Sequence, residues 1–153
     1  MKTKQYLLDT NILIDFLNEA PSVVKHILHV GTQQCCISVI SLHELYYGAH
    51  LAGEKNAENY QRELEKINTL LEYFTVLDLK TRGEEYARIK YALKKMGKPV
   101  DEFDMVIAAH ALSEGLTVVT DNIKHFEHIE GLDIISLCAL VTSSTSGRSS
   151  WRC

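Results

Sequence analysis

Tyr6-Leu7-Leu8-Asp9-Thr10-Asn11-Ile12 sets the pattern that decides how the whole chain is read. A short apolar run ends in an acid and two further polar residues, and Ile12, Ile14, Phe16 and Leu17 follow at helical spacing. The stretch therefore reads as strand, polar turn, helix. Cys35-Cys36-Ile37-Ser38-Val39 is a second strand, after which Ser41 is placed to cap a helix and Glu44, three residues on, completes a capping box. That helix carries Leu42, Leu45, Tyr46 and Ala49 toward a core. Phe74-Thr75-Val76-Leu77 gives a third strand, and Leu116-Thr117-Val118-Val119-Thr120, stopped by Asp121-Asn122, a fourth. A last strand covers residues 132–136. Helical patterns fill the intervals. One runs through Val30 with Ser22 as its N-cap, one spans residues 55–73, and one spans 81–96 with Tyr86, Ile89 and Leu93 on a single stripe. Gly97-Lys98-Pro99 breaks the last of these, and a strongly apolar helix then runs from Phe103 to Leu112. Strands alternating with helices predict an α/β fold, a mainly parallel sheet with helices on both faces. Such sheets bind ligands at the carboxyl ends of their strands.

The 153 residues fit one domain, and a hydrophobic content of 46% is ample for one core. No apolar run approaches the roughly 20 residues of a membrane helix, and the start lacks a secretory pattern. The expected setting is cytoplasmic. Cys35, Cys36, Cys138 and Cys153 form no C-x-x-C pair and read as buried or idle thiols in a reducing compartment. The seven histidines show no spacing that suits zinc. A net charge of −4 argues against a protein that coats nucleic acid by bulk electrostatics, but not against an enzyme that meets phosphate through bound cations. Folded sequence is expected over residues 1–139. Residues 140–153, rich in Ser and Thr, read as a low-complexity, disordered tail.

Where the acids fall carries the chemistry. Asp9 ends the first strand, Glu44 lies in the first turn of the helix after the second, Asp104 opens the most apolar helix, and Asp121 ends the fourth strand. In a parallel sheet these points share one edge. Taken singly, Glu44, Asp104 and Asp121 read first as helix caps or turn residues, and Asp9 as readily a cap before Ile12. Together on one edge, carboxylates repel unless a cation joins them, and ligation by oxygen alone suits Mg²⁺ or Mn²⁺. A cation held this way activates water and clamps phosphate oxygens, so a phosphodiester can be cut without a side-chain nucleophile.

Four stretches resemble, in order, the motifs of PIN-domain nucleases: Leu7-Leu8-Asp9-Thr10-Asn11-Ile12, Ser38 to Gly48 around Glu44, Gly97 to His110 around Asp104, and Val118 to Phe126 around Asp121. The likeness covers residues 4–136, and the branch resembled is the VapC toxins of toxin–antitoxin pairs. It implies a PIN-like three-layer α/β/α domain. It also implies metal-binding acids at Asp9, Asp104 and Glu44, with Thr10, Asn11, Thr120 and Asn122 supporting them. The fourth motif departs from the fuller family pattern, which has its acid where this chain has Asn122; Asp121, one residue earlier, is the catalytic candidate there. Asp101 is expected at the surface and His110 packed in a buried helix. The implied reaction is in-line attack of metal-activated water on RNA, with a VapB-like antitoxin as partner and a homodimer as assembly, the apolar helix around Leu45-Tyr46-Tyr47 supplying part of its interface. Among Arg82, Arg88, Lys94, Lys95 and Lys98, Lys98 is the expected RNA contact because its loop leads to Asp104. Two other classes compete. A catalytically weak PIN-fold RNA-binding or regulatory module would have no physical reason to keep three mutually repelling acids. A phosphatase with a nucleophilic Asp would need a D-x-D pattern, which Asp9-Thr10-Asn11 lacks.

Overall fold

A computed structural model of the chain describes residues 5–80 and 83–137. The expected tail, with Cys138, Cys153 and Arg82, lies outside the described residues. Five strands form one sheet: β1 (Tyr6–Leu8), β2 (Cys35–Ser38), β3 (Thr75–Leu77), β4 (Thr117–Val119) and β5 (Ile134–Ile135), in the order β3-β2-β1-β4-β5. Every pairing is parallel, with Leu8 opposite Ile37 on one side and Val119 on the other. The helices are α1 (Thr10–Leu17), α2 (Pro21–Val30), α3 (Val39–Gly53), α4 (Ala57–Tyr73), α5 (Gly83–Met96) and α6 (Glu102–Glu114).

The three central strands β1, β2 and β4 are predominantly apolar and buried because helices cover both faces. Successive side chains alternate between two cores. Leu8, Ile37 and Val119 join Ile12, Leu13, Ile27, Leu45, Ile67 and Leu70 on the α1–α4 side, while Leu7, Cys36 and Val118 join Ile89, Leu93, Met105 and Ile107 on the α5–α6 side. This is the three-layer arrangement expected. α6 is buried nearly all round, at Met105 and from Ile107 to Ala111, which accounts for its lack of a polar stripe. His110 is buried within it, as expected. Cys35 and Cys36 are buried, their thiols directed at the carbonyls of Gly31 and Tyr6. Among the described residues no helix is long and apolar enough to cross a membrane.

Two expected helix starts are corrected. α2 begins at Pro21, whose fixed φ suits the first helical position, and no side chain caps it; Ser22 lies inside the helix. α3 begins at Val39, because β2 ends at Ser38 and the Ser38 hydroxyl accepts the Ile40 N–H at 3.1 Å. Ser41 is consequently buried in the first turns rather than capping, and Glu44 is released from any capping box.

The strand order fixes where a site can form. From β1 the chain moves outward through β2 and β3, then returns to the other side of β1 for β4 and β5. The crossovers thus diverge between β1 and β4, opening a crevice at their carboxyl ends. Asp9 and Thr120 are the residues that follow those two strands.

Candidate active site

Asp9 is held by the fold before any ligand is considered. Its backbone N–H donates to Val119 O at 3.0 Å, continuing the β1–β4 ladder, and its carbonyl accepts from Leu13 N at 3.1 Å, opening α1. Its carboxylate caps that helix, Oδ1 accepting from Thr10 N at 2.8 Å. Oδ2 accepts from the buried Thr120 hydroxyl, also at 2.8 Å. The Thr120 oxygen in turn accepts from Asn122 N at 3.0 Å, which fixes the turn after β4. Only 4% of Asp9 is exposed.

Glu44 reaches the same edge from the α3 side. The Thr10 hydroxyl donates to its Oε2 and so ties the first turn of α1 to α3. Asp104 arrives from the opposite layer, in the first turn of α6. That helix is capped by Asp101, whose Oδ1 accepts from Phe103 N at 2.9 Å. Asp101 is exposed, as expected, and its cap sets the angle at which Asp104 enters the site. The sequence reading missed His125. Its Nδ1 lies 2.5 Å from Asp104 Oδ2, and with the proton on Nδ1 it donates to that carboxylate; the Asn122 side-chain amide lies beside the same nitrogen at 2.8 Å. The one local signal was its place three residues after Asn122, at the end of a 3₁₀ turn over Ile123–His125.

The electrostatics join these residues. Burial pushes the Asp9 carboxyl above its ordinary value, opposed by the Thr120 and Thr10 hydrogen bonds, and the charge of Asp104 raises it further. Glu44 is raised first by burial and then by the charges of Asp9, Asp104 and Asp101, against the hydrogen bond from Thr10. Asp104 is raised by burial and by Asp101, while His125 pulls it down. The three acids are thus within electrostatic reach of one another and resist ionising together.

Other predicted site residues are placed differently. Asp121 accepts from the Ser136 hydroxyl at 2.9 Å. Asn11 is exposed on α1 and forms no side-chain hydrogen bond with the three acids. Lys98 is exposed in the loop before α6. Its N–H closes the end of α5 on Leu93 O at 3.0 Å, beside Gly97, whose φ of 65° permits that reversal.

Among the described residues no three acidic, histidine or cysteine side chains stand ready-grouped as a metal cage. Asp9, Glu44 and Asp104 are engaged instead by Thr120, Thr10 and His125. The donor set nevertheless fits a hard divalent cation. It consists of carboxylate oxygens held on one edge, and the charge of Asp104 raises both Asp9 and Glu44, a repulsion that a shared cation would relieve.

The PIN domain family model matches residues 6–132. Ribonuclease VapC2 of Haemophilus influenzae is 36% identical over 129 residues, covering 84% of this chain and 94% of that protein. The tRNA(fMet)-specific endonuclease VapC of Salmonella typhimurium is 36% identical over 137 residues, covering 88% and 98%. The crystal structure of DNA-bound VapBC from Salmonella typhimurium superposes with a TM-score of 0.79 at 34% identity, covering 89% of this chain and all of that one.

Proposed function

We propose, from the premise that this chain belongs to the PIN-domain family in its VapC branch, that it is an endoribonuclease hydrolysing RNA phosphodiesters with Mg²⁺ or Mn²⁺. The observation that carries the proposal is the backbone-anchored pair Asp9–Thr120 at the sheet's switch point, with Glu44 and Asp104 brought to it from opposite layers.

Asp9, Asp104 and Glu44 would hold the cation. When bound, it supplies positive charge to phosphate oxygens and a more acidic water. The remaining work belongs to the protein. Thr120 and the Thr10 N–H orient Asp9, and the Thr10 hydroxyl orients Glu44, so neither carboxylate must be ordered at the moment of reaction. His125, with Asn122 behind it, positions Asp104. Asp121 acts as an outer carboxylate steadied by Ser136, Asn11 offers its exposed amide at the rim, and Lys98 contacts the RNA backbone. The catalytic unit is residues 1–139.

The relatives' names and the VapBC complexes among similar structures support a toxin held in check by a VapB-like antitoxin, and its setting is the cytoplasm. The assembly is a homodimer, for which the exposed Tyr46 and Tyr47 of α3 offer apolar surface while Leu45 turns inward. The test is incubation with total RNA. Cleavage is expected in Mn²⁺ or Mg²⁺, with none after chelation and none by Asp104→Asn. Scission that persists in chelator would overturn the proposal.

A further inference from the structure

A cavity of about 300 Å³ lies between the end of α5 and the start of α6. Its floor is apolar, built by Leu93, Val100 and Met105, and its rim carries Lys94, Lys98 and Glu102. Glu102 is already neutralised: Lys90 Nζ lies 2.5 Å from its Oε1, and the Tyr86 hydroxyl donates to Oε2. Lys94 and Lys98 pair with no carboxylate among the described residues. The rim is therefore positive although the chain as a whole is acidic. Seven of the sixteen Lys and Arg residues fall within residues 80–98, against two acids. Solvated lysines explain such a run on a helix face, but not an apolar hollow beneath it.

The first turn of α6 connects the cavity to the acids. Glu102 and Met105 line the hollow, while Asp104, between them in sequence, faces His125 and Asp9. The two places are separated by about one helix width, roughly 10–12 Å, which a short stretch of single-stranded RNA spans. An apolar slot of this size accepts a flat heterocycle, and two unpaired ammonium groups at its mouth suit the phosphates flanking it. We infer that this cavity is a subsite for one base of the RNA strand, with Lys94 and Lys98 holding the adjoining phosphates. The subsite rests on the ribonuclease proposal.

The probe is a single-stranded oligoribonucleotide carrying a sequence the wild-type protein cuts in total RNA, assayed in Mn²⁺. Lys94→Gln with Lys98→Gln is expected to raise KM about tenfold with kcat nearly unchanged, and to flatten the salt dependence of log kcat/KM by about 0.7 per lysine. Lys94→Arg with Lys98→Arg is expected to restore both. Val100→Glu, which puts a carboxylate against the lysines and into the slot, is expected to raise KM similarly; because Val100 packs against the α5–α6 core, it also lowers the melting temperature, and KM is read well below that temperature. Unchanged KM in folded Gln and Glu variants would overturn the subsite while leaving the nuclease standing. A wild-type protein that cuts no RNA would overturn both. Variants that handle RNA normally but lose a protein partner would reassign the face to that partner and likewise overturn the subsite.

Discussion

Replacing Thr120 by valine keeps the shape of a fully buried side chain and removes one oxygen from the floor of the site. That oxygen donates to Asp9 Oδ2 and accepts from Asn122 N. The Asn122 N–H, only half-buried, can turn to water. Asp9 cannot, being 4% exposed. A hydrogen bond to a charged group contributes about 1.5–3 kcal/mol, so Thr120→Val is expected to cost about 2–3 kcal/mol at neutral pH, or about 6–9 °C in Tm for a domain of this size. The sign with pH follows from Asp9. Its carboxyl is already raised by burial, and the Thr120 bond is the largest force lowering it. Without that bond Asp9 takes up a proton more readily, so the variant's deficit should shrink as pH falls through the raised pKa of Asp9. The assay is urea unfolding followed by circular dichroism in chelator at several pH values, with the m-value checked for constancy. A deficit under about 0.5 kcal/mol, or one equal at acidic and neutral pH, would refute the claim that Thr120 acts by solvating the Asp9 charge.

Three further outcomes are expected. Asp104→Asn abolishes RNA cleavage but leaves the metal-free melting temperature equal or higher, since it removes a half-buried charge from beside Asp9 and Glu44; a normal rate would reject the assignment. The metal-free wild type loses stability as pH rises from the ordinary carboxylate range through the raised pKa values of Asp9, Glu44 and Asp104, because the unfolded chain gives up those protons first. Mn²⁺ should reverse much of that loss in thermal melts, and a melting temperature indifferent to Mn²⁺ at neutral pH would count against a shared ion. Asp101→Ala removes the α6 cap and is expected to cost about 1 kcal/mol in urea unfolding, with a drop in kcat reflecting a displaced Asp104; unaltered stability would show that the cap is idle.

Much of this architecture is legible in local sequence. Parallel strands buried on both faces are largely apolar, so Tyr6–Leu8, Cys35–Ser38 and Thr117–Val119 announce themselves, and the acids that end or follow such runs fall on one edge. Helix starts were harder to read. Ser38 and Ser41 have the same capping chemistry, and only the position where β2 stops pairing decides that Ser38 caps while Ser41 is buried. His125 escaped notice because its partner lies 21 residues away. No periodicity marks that contact, which depends on α6 and the turn after β4 meeting in space. The same holds for the strand order, since it is set by how crossovers pack rather than by any strand's own residues.

Titration of Mn²⁺ into metal-free protein, followed by electron paramagnetic resonance, addresses the shared ion without depending on the right RNA. Saturable binding by the wild type is expected, with marked weakening in Asp9→Asn and in Asp104→Asn, two residues carried by opposite layers of the fold. Binding that survives undiminished in both variants would mean that these carboxylates do not hold an ion together.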